Sequence, residues 1–182
     1  VTIGAIRKRI NLALASKGAE NPEGTIFAQG RDAGIPHSVG QDDQAVMLGE
    51  TIVFDIYPCE AGGGYFYDFT RTWCLGYATD EARALYDNVL AVYQQIMDEL
   101  ELGVHCPDYQ RRTCELFEAL EHPTIQSDPQ IEQGYVHSLG HGLGLNVHER
   151  PWFGRNAFPG DRLVPGVVFT VEPGLYYPER GL

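Results

Sequence analysis

The chain has 182 residues, a formal net charge of −12, 43% hydrophobic residues and 21% charged residues. This composition is typical of a globular domain with a real core and excludes intrinsic disorder. Because the thirteen lysines and arginines form no basic cluster, we expect no nucleic-acid partner. No apolar run is long enough to span a membrane and the four cysteines show no CxxC spacing, so we expect a cytoplasmic protein with free thiols and no membrane partner.

The first quarter of the chain predicts one helix followed by a loop. Residues 3–17 carry a stripe of apolar side chains at helical spacing, formed by Ile3, Ile6, Ile10 and Leu14. Charged and polar residues lie between them, which indicates an amphipathic helix packed on a sheet. Residues 21–40 contain many Gly, Asn and Pro residues and are predicted to be a loop.

The next segment predicts a β-hairpin. Residues 51–58 and 65–77 are rich in β-branched and aromatic side chains, and three consecutive glycines, at 62–64, lie between them. Such runs favour strands, and a glycine cluster between two strands favours a turn.

The second half predicts two helices and one further strand. Residues 79–102 begin with acidic residues and carry an apolar stripe, and residues 107–121 follow as another helix. The apolar run VVFTVEP, residues 167–173, predicts a strand. Helices mixed with hairpin-type strands indicate the α+β class.

Three carboxylates occupy positions where a strand normally carries an apolar residue. Asp55 and Asp68 lie in the two arms of the predicted hairpin, and Glu172 ends the run at 167–173. A buried carboxylate is costly unless it is paired or binds a cation. For Asp55 and Asp68, the sequence therefore favours a shared cation or a like-charge pair over the alternative that both side chains face solvent.

Three of the six histidines, His137, His141 and His148, cluster within GYVHSLGHGLGLNVHE, residues 134–149. The four glycines disfavour a helix there. In an extended chain positions 137 and 141 point to the same side, and glycine allows a close approach of the backbone to a metal or substrate. Carboxylates with imidazoles favour Mn, Co or Fe(II) over the thiolate-bound zinc of structural sites.

Three motifs together resemble the pita-bread metallopeptidase family, which includes prolidase, aminopeptidase P, methionine aminopeptidase and creatinase. They are FDIYPCEAGGGYFYDFTRT, HSLGHGLGLNVHE and TVEPGLYYP, in the order in which the family has them. The resemblance spans essentially the whole chain. It implies a curved, mostly antiparallel sheet flanked by helices, with residues 1–182 forming one catalytic domain.

Carried over residue by residue, the resemblance implies a centre of two divalent ions. Mn is favoured, with Co, Fe or Zn as alternatives, and the implied ligands are Asp55, Asp68, His141 and Glu172. Glu172 would also move a proton. His148 matches the histidine that contacts the substrate carbonyl and the developing oxyanion.

Two further histidines are matched to the substrate pocket. His37, within GIPHSVG, matches an upstream active-site histidine, and His137 resembles a histidine of the proline-directed members. The implied function is hydrolysis of Xaa-Pro bonds by a metal-bridging hydroxide, as in prolidase or aminopeptidase P. The partner would be a peptide with proline at its second position, and the protein would form a homodimer. The alternative is a non-catalytic or metal-free module of the same fold that binds peptides or proteins.

The chain also departs from the family pattern. Asp55 and Asp68 are two residues further apart than is common, so we expect an enlarged turn around Glu60 to Gly64 that keeps both aspartates in register. The family continues beyond TVEPGLYYP with a strand that carries a last bridging glutamate, and it has an N-terminal domain ahead of this one. We therefore expect that these 182 residues are part of a longer protein. An arginine that proline-directed members use near this site is also expected to lie outside the 182 residues. Without the last glutamate, we expect reduced metal occupancy.

Overall fold

The computed structural model describes residues 1–182 and contains three α-helices, seven short strands and two 3-10 helices. Backbone contacts divide the chain into two compact units. The first comprises Val1–Ala82, Leu145–Val147 and Tyr177–Leu182, and the second comprises Arg83–Gly144 and His148–Tyr176. None of the three α-helices combines the length and the apolar composition that crossing a bilayer requires.

Helix α1 (Ile3–Ala15) opens the first unit and confirms the predicted amphipathic helix. It begins after Thr2, whose hydroxyl accepts a hydrogen bond from Ala5 N at 3.3 Å and so caps one free N–H group. Ile3 is completely buried against Phe27 and Ile52 of the sheet, and Ile6, Ile10, Val46 and Phe54 pack around this cluster. Burial of this apolar face holds the helix on the sheet.

The sheet of the first unit has three antiparallel strands in the order β2–β3–β5, with β2 at Thr25–Gln29, β3 at Thr51–Ile56 and β5 at Phe69–Cys74. The prediction of a loop over 21–40 was wrong for β2. All five residues of β2 are buried, so the strand shows no alternation of polar and apolar residues. A 3-10 helix (Gly30–Gly34) follows it directly.

The hairpin between β3 and β5 keeps a single register. Thr51 lies opposite Cys74, Ile56 lies opposite Phe69, and an isolated bridge between Cys59 and Phe66 continues the same pairing towards the tip. Strand β4 (Cys59–Glu60) also pairs with β1 (Ala19–Glu20). The prediction that the turn preserves the register agrees with this pairing. Gly62 and Gly63 in the turn have φ of 89° and 95°, where other residues would be strained.

Two long helices form much of the second unit and confirm the predictions for 79–102 and 107–121. Helix α2 spans Asp80–Glu99 and buries Val92 and Ile96. Helix α3 spans Cys106–Ala119, with Pro107 in its first turn. Arg112 of α3 donates hydrogen bonds from Nε and Nη2 to the Glu99 carboxylate of α2, at 3.0 and 2.9 Å.

The segment predicted as a strand over 167–173 forms no continuous strand. It is extended, and its backbone forms hydrogen bonds with every second residue of 139–143. These bonds are Leu143 N to Val168 O at 3.0 Å, Thr170 N to His141 O at 2.9 Å and Glu172 N to Leu139 O at 2.8 Å. The regular strands nearby are only β6 (His141–Gly142) and β7 (Glu149–Trp152). A full ladder is absent because the His141 N–H bonds the Thr170 hydroxyl instead of a carbonyl.

Asp161 secures the loop that follows β7. Its side chain is 1% exposed and accepts hydrogen bonds from Arg150 Nε and from Phe158 N, both at 2.7 Å. Burial by itself would raise the pKa of this carboxyl, but these donors outweigh burial and lower the pKa. The carbonyl of Asp161 accepts from Cys106 N at 2.8 Å, which ties the loop to the start of α3.

Asp161→Asn should lower the free energy of unfolding by about 2 kcal/mol at pH 7, because hydrogen bonds to an ionised acceptor are lost. Since the folded-state pKa is depressed, the stabilisation is present above the unfolded value of about 3.9 and disappears as the pH falls through the folded value. Urea unfolding at pH 7 and at acidic pH measures both effects. Asp87→Asn, at an exposed position of α2, is the matched control; equal effects of the two variants would contradict the assignment.

Candidate metal centre

The two hairpin aspartates lie on the same side of the β3–β5 pair. Asp55 is opposite Thr70, and the Thr70 hydroxyl donates to Asp55 Oδ1 at 2.7 Å. Asp68 precedes β5 by one residue and is two positions from Thr70, so alternation directs it to the side of Asp55. The prediction that the hairpin brings the two carboxylates to one face is consistent with this register.

The pKa of Tyr57 reflects the negative charge at this end of the hairpin. Its pKa is raised, first by burial and then by the negative charges of Asp55, Asp68 and Glu23. Three carboxylates therefore act on one half-buried phenol. An accumulation of negative charge on one face is the environment that a bound cation stabilises.

His141 and Glu172 meet within the second unit. His141 is 5% exposed, and its Nε2 lies 3.2 Å from Glu172 Oε1. The other ring nitrogen, Nδ1, lies 3.0 Å from the carbonyl of Gly142. Because a carbonyl can only accept, Nδ1 carries a proton, and Nε2 is the nitrogen that faces the Glu172 carboxylate. A histidine held through Nδ1 in this way can bind a metal ion through Nε2 once that nitrogen has released its proton.

Glu172 is ionised in this environment. Burial would raise its pKa, but the hydrogen bond and positive charge of His141, followed by the charge of His137 and the Thr170 hydroxyl, lower it below the ordinary value. The carboxylate is thus available as a ligand near neutral pH.

Thr170 is a site residue that the motifs alone do not single out. Its hydroxyl accepts from His141 N at 3.1 Å and donates to Glu172 Oε1 at 3.0 Å. One oxygen thereby connects the backbone of one candidate ligand with the carboxylate of another. The signal in the sequence was a threonine two positions before Glu172, on the same side of an extended segment.

The glycines of the histidine cluster serve close backbone packing. A Cβ atom at Gly140 would collide with the carbonyl of Thr170, and one at Gly142 would collide with the carbonyl of Arg150. The predicted close approach is therefore made to neighbouring backbone. It is what allows residues 139–143 to lie against residues 168–172.

The three remaining predicted histidines occupy different surroundings. The His148 ring lies 4.3 Å from the His141 ring, between centroids. The His137 ring lies edge-on to Tyr135 and Tyr176, at 5.7 and 5.3 Å. His37 is exposed and takes part in none of these contacts; its φ of 61° is rare for a residue with a side chain and indicates local strain.

The candidate ligands belong to both units: Asp55 and Asp68 lie in the first, and His141 and Glu172 lie in the second. Within the second unit, His141 Nε2 and Glu172 Oε1 are 3.2 Å apart. Ligand atoms about 2.0–2.2 Å from one divalent ion are at most about 4.4 Å apart, so this pair could bind a common ion. An imidazole nitrogen and a carboxylate oxygen also suit divalent ions such as Mn, Co and Fe(II).

Comparison with known proteins identifies the family. The chain belongs to metallopeptidase family M24, whose model matches residues 1–182. The resemblance predicted from the three motifs is confirmed, and a family of metallopeptidases implies divalent metal ions.

Its relatives and solved structures agree with this assignment. Over 181 residues the chain is 29% identical to an Xaa-Pro dipeptidase of Pyrococcus furiosus, covering 97% of this chain and 47% of that protein. Prolidase from Pyrococcus furiosus superposes with a TM-score of 0.83 at 25% identity, covering 100% of this chain and 50% of that one. X-Pro aminopeptidase from Thermotoga maritima gives 0.78 at 30% identity, covering 99% and 47%. The predicted α+β class and pita-bread fold are confirmed, and the chain spans about half the length of the relatives it matches.

Thr170→Val should destabilise the protein by about 1–3 kcal/mol, because the His141 N–H loses its acceptor while the volume is unchanged. Thr170→Ser keeps the hydroxyl and should recover most of the loss. Chemical unfolding of both variants tests this. Thr72→Val, an exposed site on β5, is the control; a Thr170→Val variant as stable as Thr72→Val would show that the hydroxyl bridge contributes nothing.

Proposed function

We propose that this chain is the catalytic part of a metal-dependent peptidase that hydrolyses Xaa-Pro bonds. The observation that carries the proposal is the placement of His141 and Glu172, with Nε2 and Oε1 3.2 Å apart and the Nδ1 proton held by Gly142 O. A surface histidine would need neither the burial nor the hydrogen bond that holds Nδ1. Membership of family M24 supports the same reaction class.

Asp55, Asp68, His141 and Glu172 are the proposed ligands of a dinuclear centre, with Mn favoured. In support, His141 Nε2 and Glu172 Oε1 lie 3.2 Å apart in the second unit, and the register of the hairpin places Asp55 and Asp68 on one face of the first. Asp55 is oriented by the Thr70 hydroxyl. When bound, two divalent ions polarise the scissile carbonyl and provide a nucleophilic hydroxide near neutral pH.

The protein side chains would divide the remaining work. Glu172, next to His141, would accept and return a proton during the reaction. His148 lies beside the His141 ring and would donate a hydrogen bond to the oxyanion that develops on the substrate carbonyl. His137 and His37 would line the pocket on the side of the leaving proline.

The substrate would be a peptide with proline at its second position. Support comes from His137, whose position four residues before His141 resembles the proline-directed members, and from relatives named Xaa-Pro dipeptidase and X-Pro aminopeptidase. Action on dipeptides or on longer peptides, assembly as a homodimer and a cytoplasmic location belong to the same proposal.

His148→Ala should reduce kcat on an Xaa-Pro substrate by roughly 100-fold or more, because a donor to the oxyanion is lost. Metal content should stay at the wild-type level. Steady-state kinetics of the full-length protein, together with elemental analysis, separate the two readouts. His105→Ala, which removes a histidine that bonds Phe158 O away from the motifs, should retain activity. Loss of metal in His148→Ala would reassign His148 to the ligands.

Asp68→Asn should lower metal content and abolish Xaa-Pro cleavage, because an amide is a weaker ligand than a carboxylate. Chelation of the wild-type protein, followed by addition of Mn(II), should remove and restore activity. A protein that binds no divalent metal, or that binds metal and cleaves no Xaa-Pro peptide, would instead favour a metal-free or non-catalytic module of this fold.

A further inference from the structure

Gln110 of helix α3 makes a set of hydrogen bonds that no motif of the sequence explains. Its Oε1 accepts from Leu139 N at 2.5 Å and from the Tyr135 hydroxyl at 3.1 Å, while its Nε2 donates to His137 O at 3.3 Å. Because Leu139 N can only donate, the atom facing it is the amide oxygen, which defines the orientation of the side chain.

The primary amide of Gln110 takes the place of the N–H and C=O groups that one residue of a neighbouring strand would offer. Residues 136–140 form no regular strand, yet their backbone N–H and C=O groups still need partners. In an extended chain the carbonyl of His137 and the N–H of Leu139 point to the same side. A primary amide presents an acceptor and a donor on the same side, so it can satisfy both groups, whereas a carboxylate can satisfy only the donor.

The bonds of Gln110 lead directly to the candidate centre. The carbonyl of Leu139 accepts from Glu172 N at 2.8 Å, so the residue held by Gln110 in turn holds the backbone of Glu172. The ring of His137 is packed edge-on between Tyr135 and Tyr176, and Tyr135 is completely buried. Gln110 thus holds His137 and Leu139 through their backbone groups.

From this geometry we infer that Gln110 is a positioning residue of the centre. It positions His137 through the His137 carbonyl, and it positions Glu172 through Leu139. The consequence for metal binding depends on the proposed function, whereas the mechanical link from Gln110 to Glu172 does not.

The mechanical link is tested on metal-free, full-length protein by amide hydrogen exchange. Gln110→Met, similar in size and without an amide, should speed exchange at Leu139 and at Glu172 by about tenfold or more, although the acceptor of Glu172 is not mutated. Gln110→Glu keeps the acceptor for Leu139 N and should give intermediate rates. Arg111→Met, an exposed neighbour on α3, is the matched control and should leave both amides unchanged. Faster exchange at Leu139 with an unchanged rate at Glu172 would overturn the inference.

The functional consequence is tested by Co(II) titration followed in the visible spectrum, well below the melting temperature of each variant. Loss of a residue that orients metal ligands weakens metal binding by about 10–100-fold. Co(II) affinity should therefore fall in the order wild type, Gln110→Glu, Gln110→Met, with Arg111→Met at the wild-type value. An unchanged affinity in folded Gln110→Met would refute a positioning role. A wild-type protein that binds no Co(II) would refute the proposed function, and hydrogen exchange would then decide the role of Gln110 alone.

Discussion

The backbone pairing between residues 139–143 and residues 168–172 is the constraint on which the candidate centre depends. Three hydrogen bonds between alternate residues align the two segments and set Thr170 opposite His141 and Glu172 opposite Leu139. In this alignment His141 Nε2 and Glu172 Oε1 come within 3.2 Å. A slip by one residue would turn every side chain of one segment to its other face and separate the pair.

The pairing requires particular residues at two positions, Gly140 and Thr170. Gly140 has no Cβ atom, so the carbonyl of Thr170 can pass close to it. Thr170 then supplies the acceptor that a regular ladder would have provided, since its hydroxyl takes the hydrogen bond of the His141 N–H. The irregularity that prevents a continuous strand is therefore the same feature that connects two candidate ligands.

Threonine hydroxyls orient two of the candidate carboxylates in the same way. Thr70 donates to Asp55, and Thr170 donates to Glu172. A carboxylate already held by a hydrogen bond loses less conformational freedom when it binds an ion. Burial would raise the pKa of Glu172, but the hydrogen bond and the positive charge of His141 lower it and so favour the carboxylate form.

The sequence by itself determined the parts that rest on local pattern. Helical periodicity located α1, α2 and α3, β-branched and aromatic runs located the hairpin, and misplaced carboxylates with clustered histidines indicated the candidate ligands. Strand β2 escaped because a short, wholly buried strand has no alternation, and residues 167–173 were predicted as a strand because an apolar run does not reveal whether a partner can complete the ladder. Only the tertiary structure could show the roles of Gln110 and Thr170. These roles depend on hydrogen bonds to residues that are distant along the chain. Hydrogen bonds between segments distant in the chain leave no periodic signal in the sequence. The candidate ligands could therefore be predicted from the sequence, whereas the residues that position them could not.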